Sequence, residues 1–461
     1  MRRAGKGRFQ KQVFFALCLS TIPNGFIVMS IVFLADTPPH HCQVPAHLNL
    51  SAGCLDGWEY DHSVYTSTIV SEWDLVCDNS WKNPMTSSVF FCGVLTGSFL
   101  SGQLSDRYGR KIVMFATIVI QTVATFVPAF STSWAMFCSF YFFIGAGNIS
   151  NYVTAFVLGA EILGPRIRTV FSTAGVSLFF ALGYLLLPLL AFFVRDWRSL
   201  LLGLTVPGVL CAPLWWFIPE SPRWLLSQGK EEEAEAIIRK AAEINNVEPP
   251  TVIFAFLKMN LCSGVSLDLS SRRNSLSISY FALSLNTANL HGNTYFNCFL
   301  SALVEIPAYS LSWLMFRFCP RRLSIFPMLF SCGVVLLIIQ FLPTALVYVS
   351  ITLEMFGKFA VTTAYALVYA YTAELYPTVL RTTAVGACSM ASRIGSIISP
   401  FFIYLRNYSV SLPYILMGSL TALMGLLSLL LPETHGMPLM FSSFLAWSYG
   451  CCVFIKVGSF L

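Results

Sequence analysis

Four ionisable residues stand inside stretches that are otherwise apolar: Glu305, Glu354, Lys358 and Arg393. A charge in such a place is costly and points by default to a functional site. Glu305 and Lys358 carry the charges needed to hold a charged cargo. Glu354 and Lys358 are four apart, so on a helix they share a face, and mutual neutralisation is the plainer reading for them. Arg393 has no acidic neighbour in its own stretch. Its guanidinium can grip a carboxylate through two parallel hydrogen bonds, and the plainer alternative is a structural pair with Glu305. The faces of Tyr152, Tyr365, Tyr369 and Tyr371 could hold a quaternary nitrogen by cation–π contact. With 15% aromatic residues in the chain, ordinary packing competes with that role at each one.

The elements that must position these residues follow from composition. Of 461 residues, 56% are hydrophobic and only 11% charged, against roughly 25% charged in soluble domains. The mean hydropathy is +0.69. The net charge of +6 is not clustered as a nucleic-acid site needs; the basic residues fall in short loops between long apolar runs. A span needs about 20 apolar residues, and the runs predict twelve: 13–35, 86–105, 112–130, 134–156, 169–194, 199–218, 274–293, 294–316, 323–343, 345–369, 383–405 and 412–431. Counted on that layout, 21 of the 28 Lys and Arg lie on one side. The excess of basic charge marks that side as cytoplasmic and puts both termini there. The first run follows Arg2, Arg3, Lys6, Arg8 and Lys11 but is too long for a secretory signal, so it reads as a span.

The polar loop 36–85 is then external. It carries the glycosylation sequon at Asn49 and three cysteines, Cys42, Cys54 and Cys77. Three thiols allow at most one bridge among themselves and leave one over, and the pairing is not legible from sequence. Segment 219–273 joins the two halves, and Lys230–Lys240 within it has Glu ahead of Arg and Lys at the spacing of a surface helix. The domain layout is a six-helix half over 1–218, this cytoplasmic linker, a second six-helix half over 274–439 and an apolar tail over 440–461.

The halves carry matching punctuation. Glu161…Arg168 follows span four and Glu374…Arg381 follows span ten; Pro219-Glu220-Ser221 follows span six and Pro432-Glu433-Thr434 follows span twelve. Each pair is separated by 213 residues. Ordinary charged loop ends are the rival explanation. Duplicated halves in a membrane imply transport by rocking of one against the other around a central site.

Gly102-Gln-Leu-Ser-Asp106-Arg107-Tyr-Gly109-Arg110-Lys111 resembles the hallmark loop of the major facilitator superfamily. Asp106, Arg107, Arg110, Glu161, Arg168, Glu374 and Arg381 then look like conformational switches, ion pairs made in one state and broken in the other. Four stretches carry a finer resemblance to the carnitine/organic-cation transporter subgroup of the organic-ion solute carriers: Ser67…Cys77, Pro219…Leu225, Thr372…Thr378 and Ala391…Pro400. The resemblance runs over residues 8–250 and 281–439. It implies an all-α membrane protein with the major facilitator fold, and uptake of small cations and zwitterions such as carnitine at the plasma membrane. It also implies sodium coupling for the zwitterion. In the family an acidic residue near position 393 goes with cation carriers and Arg with anions and zwitterions, which fits Arg393 as the group that would bind the substrate carboxylate. The family places sodium near Asn148, where Gln is usual, and near Glu374. A sodium-independent organic-cation carrier is the alternative substrate reading.

No catalytic pattern is present. The sequence has no phosphate-cradling loop, no metal-spaced His or Cys cluster and no nucleophile elbow. No cofactor is expected beyond the coupling ion, no partner beyond the small-molecule cargo, sodium and the bilayer, and no nucleic acid. The departures are in span seven, where 274–289 is uncharged but studded with Ser and Asn, and in the apolar tail. They leave a second hypothesis open: a non-transporting or regulatory membrane isoform disabled by a defective seventh helix.

Overall fold

The computed structural model describes residues 7–42, 57–171, 175–245, 277–286, 293–342, 346–375, 378–409 and 411–429. Hydrocarbon leaves each backbone N–H and C=O to find a partner within its own segment, so the long apolar runs wind into helices. Among the described residues nine helices are long and apolar enough to cross a membrane. The first half contains α1 (Arg8–Leu19), α2 (Ile22–Val28), α3 (Ile31–Leu34), α4 (Lys82–Tyr108), α5 (Arg110–Phe126), α6 (Trp134–Ile162), α7 (Val176–Phe193) and α8 (Trp197–Leu210). The exposed helix α9 (Glu231–Ile244) lies in the linker. The second half contains α10 (277–285), α11 (Thr294–Phe318), α12 (Arg321–Ile339), α13 (Val347–Leu375), α14 (Thr378–Tyr404) and α15 (Leu412–Ser428). Outside spans one and seven each expected span overlaps one of these helices, with α4, α6 and α13 running further than their apolar cores.

Span one is expected to be continuous over 13–35 and is instead three helical pieces within Arg8–Leu34. Pro23 has no N–H to donate and suits the first turn of a helix, so α2 begins around it and α1 ends before it. The Ser20 and Thr21 hydroxyls turn back onto the carbonyls of Leu17 and Cys18, both at 2.7 Å. The break frees the Ser20 carbonyl, and Asn151 on α6 donates to it at 3.0 Å.

Span seven departs the other way. Its Ser and Asn content makes lipid insertion marginal, yet every residue from 277 to 286 is buried. The polar side chains point into protein: Ser279 meets Thr421 of α15 at 2.5 Å, and the Asn286 amide donates to Glu354 at 2.7 Å. These are the groups of an interior helix.

The loop between α3 and α4 forms a small antiparallel sheet, β1 (His40–Cys42) with β2 (Trp58–Tyr60). Cys42 is disulfide-bonded, whereas Cys77 is a free, exposed thiol. Asn49 and Cys54 lie outside the described residues. Asp36, at the foot of this loop, has its carboxyl pushed up to about 6 by burial, against the Thr37 N–H that favours its charged form.

The two halves meet at the end of the bundle that carries this loop. Phe33 stacks on Tyr295 with centroids 5.4 Å apart, and the Tyr295 hydroxyl donates to the Val64 carbonyl at 3.2 Å. Ser80 bonds Tyr404 at 3.2 Å, and Ser88 donates to the Ile397 carbonyl at 2.8 Å. Within the first half, α4 and α6 touch backbone to backbone. A Cβ added at Gly97 falls 2.3 Å from the Ala146 carbonyl oxygen, and one at Gly145 falls 2.2 Å from that of Phe90. Small residues permit this approach in membranes, where packing rather than water drives association. Replacing Gly97 by Leu is expected to destabilise the detergent-solubilised protein by about 1–3 kcal/mol, seen as a lowered midpoint of thermal unfolding. An unchanged midpoint would show that the seam is loose.

Candidate functional site

Lys358 and Glu305 form a fully buried ion pair, Nζ to Oε1 at 3.1 Å, with side chains 2% and 0% exposed. Moving each charge out of water costs several kcal/mol, so a pair like this persists only with added hydrogen bonds. Tyr280 of α10 donates to Glu305 Oε1 at 2.8 Å, and Lys358 donates to Ser284 at 2.5 Å. The ammonium also lies over the rings of Tyr184 and Tyr280, 5.2 and 5.0 Å from their centroids. Tyr184 belongs to α7 and donates to Ser301 of α11 at 3.1 Å, so the cluster spans the interface between the halves.

This corrects the expectation that Glu354 and Lys358 neutralise each other. Glu354 is already engaged by neutral donors, Asn286 at 2.7 Å and Tyr414 at 3.3 Å, and Lys358 instead reaches the carboxylate of Glu305 across the bundle. The same pair removes the plain alternative for Arg393, because Glu305 is taken. Arg393 is half-buried on α14, and its Nε is buried without a hydrogen-bond partner among the described residues. It stands one turn before Ile397, where α14 touches α4 of the other half.

Of the tyrosines, Tyr365 stacks on Tyr280 with centroids 5.4 Å apart, Tyr152 is half-buried on α6, and Tyr371 is buried. The side chain of Tyr369 lies outside the described residues. Asn148 is buried and donates its amide to the Asn24 carbonyl at 3.3 Å. One turn on, Asn151 donates to Asn24 Oδ1 at 3.2 Å, while Asn151 Oδ1 and Gln121 Oε1 are buried acceptors without hydrogen-bond partners among the described residues. The side chains of Glu374 and Arg381 lie outside the described residues.

At the opposite end from the loop, the expected switch residues of the first half divide. Asp106 pairs with Arg110 at 2.7 Å, and Arg110 reaches Glu161 at 3.3 Å. Glu161 accepts in turn from the Ser221 hydroxyl. Arg107 and Arg168 do not join. Arg107 is exposed beside its neighbour Tyr108, and Arg168 donates to the Leu163 carbonyl at 3.1 Å, its burial holding it below the ordinary arginine value. Glu220, which the repeat marks only as punctuation, proves central. Its carboxylate accepts from the backbone N–H groups of Arg110 and Lys111 at 3.0 and 3.1 Å, placing negative charge at the positive end of α5.

Tyr184, Tyr280, Ser284, Asn286 and Tyr414 were missed from sequence. The available signal was the polar content of span seven, which reads as a defect until the buried carboxylates it serves are seen beside it. Among the described residues no group of three or more His, Cys, Asp or Glu could hold a metal ion.

Residues 58–266 match the family model described as sugar (and other) transporter. The chain is 49% identical to organic cation/carnitine transporter 2 of Homo sapiens, with 94% of this chain and 90% of that protein covered. It is 49% identical to solute carrier family 22 member 4 of Mus musculus, covering 94% and 91%, and 33% identical to an organic cation transporter-like protein of Drosophila melanogaster, covering 94% and 89%. Among solved structures, an inward-open conformation of the xylose transporter XylE from E. coli superposes with a TM-score of 0.70 over 95% of this chain and 99% of that one. At 14% identity it shows the fold alone. These are transporters rather than enzymes. The half-buried arginine and the interfacial ion pair therefore belong to a major facilitator protein, and this chain is a member of the carnitine/organic-cation transporter subgroup of the organic-ion solute carriers.

Proposed function

We infer that the chain is a secondary active transporter of small organic cations and zwitterions such as carnitine. Sodium is the coupling ion for the zwitterion, and the two halves rock about the interface to expose the site alternately. The observation that carries this reading is Arg393, a guanidinium at the meeting of the halves with a buried, unspent donor. It suits the carboxylate of a zwitterion, while Tyr152 and Tyr365 offer aromatic faces to its ammonium, and Glu305 and Lys358 set the charge of the site between them. The relatives named for organic cations and carnitine support the substrate class.

Sodium is assigned to the amide cluster on α6, with Asn148 supplying side-chain oxygen and the unpartnered Asn151 Oδ1 beside it; Glu374 is the second position. Rocking draws support from where contacts fall: aromatic stacking and neutral hydrogen bonds join the halves at the loop end, and Asp106, Arg110 and Glu161 lock the first half at the other. The linker end is assigned to the cytoplasm, with both termini there, and the protein to the plasma membrane with Asn49 glycosylated outside. The rival, a non-transporting isoform with a defective span seven, is disfavoured by the complete burial of 277–286.

Three measurements test this. Arg393→Ala is expected to weaken carnitine uptake roughly ten- to hundred-fold, from about 1.5–3 kcal/mol of lost charge-assisted hydrogen bonding, with tetraethylammonium uptake retained. Carnitine uptake at the wild-type level would end the assignment. Asn151→Ala should raise the sodium concentration that half-activates carnitine uptake; equal uptake by the wild type with sodium replaced by N-methylglucamine would remove the coupling altogether. Single cysteines in place of Arg107 and Arg322 should both label only from the cytoplasmic side, and labelling from opposite sides would break the paired-half topology.

A further inference from the structure

If the halves rock as proposed above, the seam at the loop end must part whenever the site faces outward. That seam is aromatic. The Tyr295 ring of α11 packs on Phe33, Tyr65 and Phe192 of the first half, with centroids 5.4, 5.7 and 5.7 Å away. Beside it lies an ionisable group that the transport reading leaves idle. Asp36 follows α3 directly, and its carboxyl faces Tyr65 and the same Tyr295 that closes the seam.

The surroundings of this carboxyl suit its neutral form. Among the described residues no cation pairs with it. Arg195 faces Tyr295, but it is exposed, lies over the Phe192 ring and donates to the Phe192 carbonyl at 3.4 Å. From α4 comes only a neutral amide, Asn83, bonded to the Ala35 carbonyl at 2.9 Å. Two groups favour the charged form: the Tyr65 hydroxyl beside it and the Thr37 N–H at 3.0 Å. Burial outweighs both and pushes the carboxyl up to about 6. A carboxylate shut away without a cation is costly, and taking up a proton relieves the cost.

When Tyr295 withdraws with the second half, water reaches Asp36 and its carboxyl returns toward the ordinary value of about 4. The closed seam therefore holds the proton more tightly than the open one, and by linkage protons favour closure. Below about 4 both states are protonated and closure has its full advantage. The advantage is lost as the pH outside rises through about 6.

We propose that Asp36 is an external proton site: the proton binds while the seam is shut and leaves as it opens, so acid outside holds the carrier closed to that side.

A cysteine in place of Ser88, buried at the seam against Ile397, reports opening. The full chain carries Cys77→Ser to remove the exposed thiol. It is labelled in intact cells by a membrane-impermeant thiol reagent, without sodium or cargo outside. The rate of the same chain lacking the added cysteine is subtracted. Asp36→Asn keeps the shape of the protonated acid. At pH 7.5 it is expected to label at least five-fold more slowly than the parent, and at pH 5 that gap should shrink at least three-fold. Comparing two chains at one pH cancels the titration of the thiol itself. Equal rates at pH 7.5, or a gap of one size at both pH values, overturns the proposal. Where Asp36→Asn does not reach the cell surface, Asp36→Ala, which also lacks the carboxyl, is held to the same change of gap with pH. No labelling of any chain at either pH overturns the proton site and the rocking together. Labelling that ignores position 36 overturns the proton site alone and leaves the carrier reading standing.

Discussion

A buried positive charge in a membrane protein must be matched, and the matching of Lys358 by Glu305 organises the centre of this molecule. The pair requires α11 and α13 to lie side by side, since its members come one from each. It requires donors nearby, which is why α10 carries Ser284 and Tyr280 where a lipid-facing helix would carry leucine. It draws a wall from the other half through Tyr184, which in turn bonds Ser301 beside the pair. Remove the pair and Tyr280 and Ser284 lose the charges they serve, while Ser279 and Asn286 keep their own partners in Thr421 and Glu354.

The frame was largely legible because its signals are long and redundant. Twenty apolar residues can hardly mean anything but a span, and nine such runs are helices long enough to cross a membrane among the described residues. The candidate site was legible in part. A charge in an apolar run announces itself, so Glu305, Glu354, Lys358 and Arg393 stood out at once. Their partners did not. Spacing along one helix favoured Glu354 for Lys358, but only packing between helices decides which carboxylate faces which ammonium, and that information is not local. Span seven misled for the same reason: a rule calibrated on lipid-facing helices marks Ser277, Ser279, Ser284 and Asn286 as a fault, whereas all four are buried in protein.

The switch loops show a similar division between what a motif records and what geometry uses. Asp106, Arg110 and Glu161 form the expected chain, but the group that anchors it is Glu220, whose carboxylate closes the start of α5 through backbone N–H groups. Capping of this kind depends on a backbone position and not on a partner's side chain, so no pairing of charged letters reveals it. Gly109, with φ of +103°, makes the turn that brings those N–H groups to the carboxylate, and the Trp224 indole bonded to the Asp106 carbonyl at 2.8 Å fixes the far side.

The chemical character of the two ends of the bundle differs. At the loop end the halves are held by stacked rings and neutral hydrogen bonds, Phe33 on Tyr295 and Ser88 on Ile397. At the linker end the first half is locked by charges, one of them, Asp106, largely in water. Dissolved electrolyte screens exposed charges over about 8 Å at physiological strength and hardly touches stacked rings. The two sets of contacts therefore answer differently to dissolved salt: the ionic cluster of the first half loosens as salinity rises, and the stacked rings between the halves do not.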